Sequence, residues 1–238
     1  ALALNAQDIL HNKETGKISA VLTLEEGGII NHDIHKLDEL YREGIRLVTL
    51  MWNFENCMGF PNSTDAEIMQ KGLKAFGFEV IERMNELGIL VDVAHMSDGG
   101  FWDAVRFSKA PVVASHSNAR SLCAHPRNLT DEMLKALGEK GGVAGVNFYP
   151  RFVREDMIAM REDLARHIKH MVNMAGIDAV AVGTDFDGFD YSDGTLEIDK
   201  SEKMDILCHQ LQKDGFSEGQ IDKIWSENAM RVIEEVMG

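Results

Sequence analysis

The sequence contains few cysteines: only Cys57, Cys123 and Cys208 occur among its 238 residues. An odd number without close spacing argues against a disulfide framework and a cysteine-rich zinc site, so a reducing compartment is expected. Basic residues are also scarce, with 24 Lys and Arg against 39 Asp and Glu and a formal net charge of −15. Such a chain repels phosphate backbones and anionic lipid surfaces, which argues against nucleic-acid and membrane partners.

Long apolar runs and nucleotide-binding loops are absent as well. No segment approaches the ~20 apolar residues of a membrane span, and residues 1–16 lack the basic flank and apolar core of a signal peptide. The expected location is therefore the cytoplasm. No G-x-G-x-x-G or G-x-x-x-x-G-K-S/T motif follows any apolar run, which argues against a nucleotide-binding version of an α/β fold.

Short apolar runs that alternate with amphipathic stretches dominate the rest of the chain. Each run is nearly continuous, as expected for a strand buried on both faces of a parallel sheet. Between the runs, residues 65–87 are predicted to form one helix that ends at Gly88, and Ser97 and Thr130 are predicted helix caps. The predicted strands lie within residues 19–28, 44–53, 88–97, 111–120, 141–150 and 178–188.

Six β-α units in succession predict a parallel sheet, either doubly wound or closed as a barrel. Polar and ionisable residues follow every strand, and in a barrel these strand ends converge on one mouth. We therefore predict an α/β fold of the (β/α)8 TIM-like barrel type, with about six β-α units visible in a single domain over residues 1–238. The polar residues at the strand ends are Glu25, Glu26, Asn53, His95, His116, Asn147, Tyr149, Asp185 and Asp187.

Two histidines at the ends of consecutive predicted strands suggest metal chemistry. His95 and His116, with Glu26 on an earlier strand, make a set of two imidazoles and a carboxylate, which is the ligand chemistry of a catalytic zinc. Spacing alone leaves this interpretation and that of two hydrogen-bonded core histidines equally open. Arg127, in the loop after His116, is by the same reasoning either an anchor for a substrate carboxylate or a surface arginine.

Several segments resemble the membrane (renal) dipeptidase family of zinc peptidases, in order from about residue 19 to residue 236. The resemblance implies a metal-dependent barrel of the amidohydrolase type that hydrolyses dipeptides at two bridged zinc ions. The segments that carry it are EEGG, VDVAHMS, APVVASHSNARSLCAHPRN, GGVAGVNFYPRF, HIKHMVNMAGIDAVAVGTDFDG and ENAMRVIEEV.

The resemblance also implies a role for each matching residue. Glu26, directly before Gly-Gly, resembles the catalytic carboxylate that bridges both metals, and His95 and His116 resemble ligands of the second zinc. Arg127 resembles the anchor for the substrate carboxylate. Asp185 resembles the residue that holds the substrate amine and carries the proton. Tyr149 resembles a tyrosine that lines the substrate pocket.

Two departures from the family pattern change these expectations. No His-x-Asp precedes EEGG, although that motif supplies two ligands of the first zinc in the family. We therefore expect an N-terminally incomplete barrel that holds one zinc weakly or none. Trp52 stands where several relatives have a histidine that stabilises the transition state, and Asn53 is predicted to contact the substrate instead.

Three hypotheses follow for the function. The first is a zinc dipeptidase whose substrate is a dipeptide. The second is a non-catalytic barrel remnant that binds a ligand or a partner. The third is another amidohydrolase-type reaction, such as lactone or amide hydrolysis. Since an incomplete barrel exposes two strand edges, either a homodimer or further chain is expected to cover them.

Overall fold

The computed structural model describes residues 1–238 and contains a six-stranded parallel sheet in the order β1-β2-β3-β4-β5-β7, with β6 and β8 in a separate pair. The main sheet follows chain order without a reversal, so its topology is that of a barrel-type succession and not of a doubly wound sheet. This confirms the predicted α/β class and all six predicted strands. The strands are β1 (Leu22–Glu25), β2 (Ile45–Thr49), β3 (Leu90–Asp92), β4 (Val112–Ala114), β5 (Val143–Val146), β6 (Ile158–Ala159), β7 (Val180–Val182) and β8 (Thr195–Leu196).

One helix precedes β1, and the others lie between the strands or after β8. None of them combines the length and apolar character needed to cross a membrane. They are α1 (Ala6–Glu14), α2 (His35–Arg42), α3 (Ala66–Met69), α4 (Ala75–Leu87), α5 (Asp98–Phe107), α6 (Asp131–Glu139), α7 (Pro150–Val153), α8 (Arg161–Ala175), α9 (Asp205–Lys213), α10 (Glu218–Asp222) and α11 (Asn228–Met237).

The chain forms two compact units, of which the first comprises Ala1–Val113 and Met230–Gly238. In this unit β1, β2 and β3 pair in parallel, and Glu25, Thr49 and Asp92 stand in one register row. Residues paired in this way place their side chains on the same face of a sheet. Thr49 Oγ1 donates a 2.7 Å hydrogen bond to Asp92 Oδ2, so this face is polar at the carboxyl ends of the strands.

The predicted helix over residues 65–87 is wrong in one respect, because the chain leaves the helical path between α3 and α4. The backbone N–H of Leu73 donates to Asp103 Oδ2 of α5 at 2.8 Å, which replaces a bond within a continuous helix. A side chain on Gly72 would meet the same Asp103 oxygen at 2.1 Å, so a larger residue there would displace the Asp103 carboxylate. The predicted end at Gly88 is confirmed, with φ 72°.

The predicted helix caps are confirmed, one in each unit. Ser97 accepts a hydrogen bond from the N–H of Gly100 at the start of α5, and Thr130 accepts one from the N–H of Met133 at the start of α6. Each hydroxyl satisfies a backbone donor that has no partner within its helix.

The second unit comprises Ala114–Ala229. In it β5 and β7 pair in parallel, with Gly145 opposite Ala181. A side chain on Gly145 would meet the carbonyl oxygen of Ser115 at 2.2 Å, and one on Gly183 would meet that oxygen at 2.0 Å. These glycines therefore allow the strand ends to pack closely around the residue that precedes His116.

His167 connects α8 to two other segments of this unit. Its Nδ1 accepts from the N–H of Ala119 at 3.2 Å, and its Nε2 lies 2.9 Å from the carbonyl oxygen of Val153. A backbone N–H can only donate and a carbonyl can only accept, so the imidazole is neutral with its proton on Nε2. Burial lowers the pKa of His167 to about 4.

We predict that His167 makes the protein acid-labile. The unfolded chain takes up a proton near pH 6.5 that the folded chain refuses until about pH 4, so stability is complete above pH 6.5 and falls as the pH drops through this window. The loss is at most ~1.4 kcal/mol per pH unit for one histidine. Urea unfolding of wild type and His167→Gln from pH 7.5 to pH 4.5 should show a shallower pH slope for the variant. Equal slopes would contradict the prediction.

Candidate metal centre and catalytic residues

The turn after β1 directs two adjacent glutamates to different surroundings. Glu25 ends the strand, and Glu26 adopts a left-handed conformation with φ 94° before the helical turn at Gly27–Ile30. Glu25 Oε1 lies 3.2 Å from His95 Nε2. The Glu25 side chain is 45% exposed and that of His95 is 8% exposed, so the carboxylate reaches a buried imidazole from the edge strand.

The Glu26 carboxylate binds the loop that follows β2. It accepts hydrogen bonds from the backbone N–H groups of Gly28 at 2.6 Å and Trp52 at 2.9 Å, and from Asn56 Nδ2 at 2.9 Å. These bonds occupy both carboxylate oxygens. The sequence predicted Glu26 as the metal-bridging residue; in the structure its carboxylate holds the turn, and Glu25 is the glutamate beside the His95 imidazole. The left-handed backbone at Glu26, with φ 94°, turns the two adjacent side chains in different directions.

His95 is held in an orientation suited to metal binding. Its Nδ1 lies 3.0 Å from Asn53 Oδ1, and an amide oxygen only accepts, so Nδ1 carries a proton, while Nε2 faces the Glu25 carboxylate at 3.2 Å. Metal-binding histidines are commonly fixed in this way by an outer acceptor. Asn53, which the sequence predicted as a substrate contact, is therefore placed as the residue that orients His95.

His116 follows β4 in the second unit, and its Nδ1 lies 2.7 Å from Ser115 Oγ. In the first unit, Glu25 Oε1 and His95 Nε2 lie 3.2 Å apart. Ligand atoms on one tetrahedral zinc are about 3.4 Å apart, given bonds of ~2.0–2.2 Å. A carboxylate and an imidazole at this separation fit two ligands of a zinc ion that keeps further coordination positions open.

Asp185 lies in the turn after β7. Its backbone is left-handed, with φ 60°. Its Oδ2 accepts a 3.1 Å hydrogen bond from Asn147 Nδ2, and its carbonyl oxygen accepts one from the N–H of Gly188 at 2.9 Å. A side chain on Gly188 would meet Asp185 Oδ1 at 1.9 Å, so the DFDG turn folds tightly around its first carboxylate.

Arg127 is buried, at 5% exposure, in a chain whose net charge is −15. Its Nη2 donates to the carbonyl oxygen of His116 at 3.3 Å, and its guanidinium lies 5.4 Å from the centre of the Phe152 ring. Burial, and then the positive charge of Arg127 and other arginines, lowers the pKa of His125 to about 4. Since His125 is neutral, the positive charge in this region comes from the arginines, of which Arg127 is buried.

Tyr149 follows β5 and contacts the loop after β7. Its hydroxyl donates to Asp193 Oδ2 at 3.0 Å, and its ring stacks on Phe189 with the ring centres 4.9 Å apart. Burial, followed by the hydrogen bond to Asp193, raises the pKa of Tyr149. The phenol therefore serves as a neutral donor and as part of an aromatic wall.

Sequence reasoning missed Glu25 as the carboxylate beside the histidines and Asn147 as the partner of Asp185. The register that places Glu25 in one row with Thr49 and Asp92, on the polar face, is visible only in the structure. Asn147 was noted only as a polar strand end. Its contact with Asp185 connects residues 38 positions apart and has no local signal.

Comparisons with known proteins agree with this fold. The family model for membrane dipeptidases, peptidase family M19, matches residues 1–237. An uncharacterized protein in the pqqA 5′ region of Klebsiella pneumoniae is 35% identical over 247 residues, which cover 99% of this chain and 88% of the relative. An uncharacterized dipeptidase of Schizosaccharomyces pombe is 35% identical over 223 residues, which cover 92% of this chain and 53% of the relative.

Two solved structures share the fold. A metallopeptidase from Rhodobacter sphaeroides, bound to a phosphinate mimic of the dipeptide L-Ala-D-Ala, superposes with a TM-score of 0.90 at 28% identity, over 99% of this chain and 68% of its own. An amidohydrolase from Pseudomonas aeruginosa superposes with a TM-score of 0.91 at 27% identity, over 100% of this chain and 79% of its own.

The parallel α/β fold and these similarities define the class of the protein, which is that of the metallopeptidases with an amidohydrolase-type barrel. Within this class, the chain belongs to the membrane dipeptidase family, peptidase family M19. The resemblance stated from the sequence segments is thereby confirmed.

We predict that Glu25 and Glu26 differ in what they stabilise. Glu25→Gln should weaken zinc binding by more than about 100-fold, since even outer partners of metal ligands contribute 10–100-fold. Glu26→Gln keeps one acceptor oxygen but presents an amide to N–H donors, so it should lower the free energy of unfolding by about 1–3 kcal/mol and leave zinc affinity nearly unchanged.

Zinc competition with a chromophoric chelator and urea unfolding of both variants measure these effects. The two substitutions are chemically identical and one residue apart, so each variant is the control for the other. Loss of zinc affinity in a folded Glu26→Gln protein, with normal affinity in Glu25→Gln, would reverse the assignment.

Proposed function

We propose that this chain binds zinc through Glu25, His95 and His116 and hydrolyses the peptide bond of dipeptides. The observation that carries the proposal is the 3.2 Å separation between Glu25 Oε1 and the buried His95 Nε2, and His116, at the next strand end, is proposed as the third ligand. Membership in the dipeptidase family supports the reaction, and the Rhodobacter sphaeroides relative bound to a mimic of L-Ala-D-Ala supports alanyl dipeptides as first substrates. When bound, zinc would supply Lewis acidity toward the scissile carbonyl and lower the pKa of a water molecule.

The proposed role of Asp185 is to move the proton. A carboxylate held in one orientation takes a proton from the attacking water and delivers it to the leaving amine. The 3.1 Å hydrogen bond from Asn147 Nδ2 and the tight DFDG turn support this role, because both restrict the carboxylate. A carboxylate at this position would also attract the substrate ammonium group.

The proposed role of Arg127 is to bind the substrate carboxylate. A planar guanidinium matches a carboxylate through paired N–H donors, and its low exposure strengthens that interaction. The proposed role of Tyr149 is to form a wall of the substrate pocket through the aromatic face it shares with Phe189. Asn53 would act on the substrate only indirectly, through the orientation of His95.

Glu25, His95 and His116 together offer three ligand atoms, which is enough for one zinc ion, so we propose one zinc ion per chain. Lactone or amide hydrolysis at the same centre is the second candidate, which the amidohydrolase from Pseudomonas aeruginosa favours as a relative of the same fold. A panel of dipeptides, lactones and amides separates these reactions. A non-catalytic binding protein would hydrolyse none of them in the zinc-loaded form.

We predict that Asp185 is required for turnover and not for metal binding. Asp185→Asn should lower kcat for L-Ala-D-Ala by about 10²–10⁴-fold, the usual contribution of general acid–base catalysis, with the zinc content unchanged. Asp187→Asn changes the exposed second aspartate of the same turn and should keep wild-type turnover. Removal of zinc by a chelator should abolish activity, and added zinc should restore it. Equal losses in the two variants would contradict this role.

We predict that Arg127 recognises the carboxyl end of the substrate. Arg127→Met should raise KM for L-Ala-D-Ala by about 10–100-fold, because it removes a charge-assisted hydrogen-bonded pair. The carboxamide of the same dipeptide lacks the anion, so wild type and variant should hydrolyse it equally. If the variant lost the same factor toward both compounds, with an unchanged unfolding transition, Arg127 would not bind the carboxylate.

A further inference from the structure

Asp185 accepts a hydrogen bond from a fully buried side chain, Asn147, that has no role in the proposed reaction. Asn147, at 0% exposure, donates from Nδ2 to Asp185 Oδ2 at 3.1 Å. The direction of this amide is determined by its other end, since Oδ1 accepts the backbone N–H of Tyr149 at 2.6 Å. A backbone N–H can only donate, so the NH2 group of Asn147 must face the carboxylate.

The backbone of Asn147 is in turn held by a second buried amide. Asn118 Nδ2 donates to the carbonyl oxygen of Asn147 at 2.9 Å, and Asn118 Oδ1 accepts the N–H of Asn147 at 2.9 Å. The side chain of Asn118 therefore pairs with Asn147 as a neighbouring strand would. Both bonds are made at once, so Asn147 can neither shift nor turn without breaking two hydrogen bonds in a dry environment.

A third buried amide anchors the second. The N–H of Asn118 donates to Asn128 Oδ1 at 3.2 Å, and Asn128 Nδ2 donates to the carbonyl oxygens of Cys123 and Phe152, each at 2.9 Å. Asn118 and Asn128 are also 0% exposed. We call Asn118, Asn128 and Asn147 the asparagine chain. It runs from the loop after β4 to the carboxylate of Asp185.

We propose that Asn147 is a positioning residue that sets the orientation of the Asp185 carboxylate, with the rest of the asparagine chain as its support. The inference rests on the proposed function, in which Asp185 carries the proton. The left-handed turn at Asp185 brings its side chain to Asn147, and the Asn147 donor holds one of its two oxygens. Two further buried amides, Asn118 and Asn128, fix the direction of that donor.

Two variants remove the Nδ2 donor of Asn147 in different ways. Asn147→Asp keeps the shape and the acceptor for Tyr149 but replaces the donor with an oxygen, whereas Asn147→Ala removes the donor and leaves a cavity without adding charge. Both should lower kcat for L-Ala-D-Ala by about 10–100-fold with zinc content little changed, because both lose the hydrogen bond to the proton-carrying group. Asn147→Ala also loses the acceptor for the N–H of Tyr149, so an unchanged KM is expected of Asn147→Asp.

Asn228→Ala and Asn228→Asp are the matched controls, because Asn228 is also buried and its Nδ2 donates to the carbonyl oxygens of Ile177 and Val180, outside the asparagine chain. They should destabilise the fold comparably and retain kcat in the folded protein. Equal losses of kcat at positions 228 and 147 would show a purely structural role and overturn the proposal, as would a kcat within twofold of wild type in both Asn147 variants.

A crystal structure of Asn147→Ala gives a readout that does not depend on activity. The proposal expects the Asp185 carboxylate to leave the position it occupies 3.1 Å from Asn147 Nδ2. An unchanged carboxylate would overturn it. If the zinc-loaded wild type hydrolyses no dipeptide, the proposed function fails. The position of the Asp185 carboxylate in the crystal structure of Asn147→Ala then still decides whether Asn147 orients it.

Discussion

Every polar group buried beyond a strand end must find a hydrogen-bond partner, and this requirement shapes the candidate site. In the first unit the Glu26 carboxylate meets this requirement, because it accepts hydrogen bonds from the backbone N–H groups of Gly28 and Trp52 and from the side-chain amide of Asn56. In the second unit the requirement explains the asparagine chain, in which side-chain amides replace missing strand partners. An unpaired buried amide costs about 1–3 kcal/mol, so each of these networks is also rigid.

The same requirement supports three backbone conformations that non-glycine residues rarely adopt. Glu26, His95 and Asp185 all have φ between 60° and 94°. Such conformations cost of order 1–3 kcal/mol each and persist where surrounding contacts hold them. At His95 the carbonyl oxygen accepts the N–H of Asn62 at 2.7 Å while Nδ1 donates to Asn53, so both the backbone and the ring are fixed. Strain of this kind at strand ends is typical of functional positions.

The sequence predicted the parts of the structure that depend on local pattern. Continuous apolar runs located all six strands of the main sheet, and hydroxyl caps located the starts of α5 and α6. The break between α3 and α4 could not be predicted, because a side chain from α5, Asp103, causes it. Glu25 and Glu26 are adjacent and chemically alike, so only the strand direction at the turn distinguishes the residue beside His95 from the one that holds the loop.

The geometry of the second unit also favours a short substrate. Arg127 Nη2 and Asn147 Nδ2 both lie near the carbonyl oxygen of His116, at 3.3 and 3.5 Å. The proposed anchor for the substrate carboxylate and the residue that positions Asp185 are thus attached to one peptide group, that of a candidate metal ligand. The anchor and the positioning residue are therefore held relative to one another by short contacts to the backbone and not only by flexible side chains. Under the proposed function this arrangement suits a dipeptide, whose carboxylate lies close to its scissile bond.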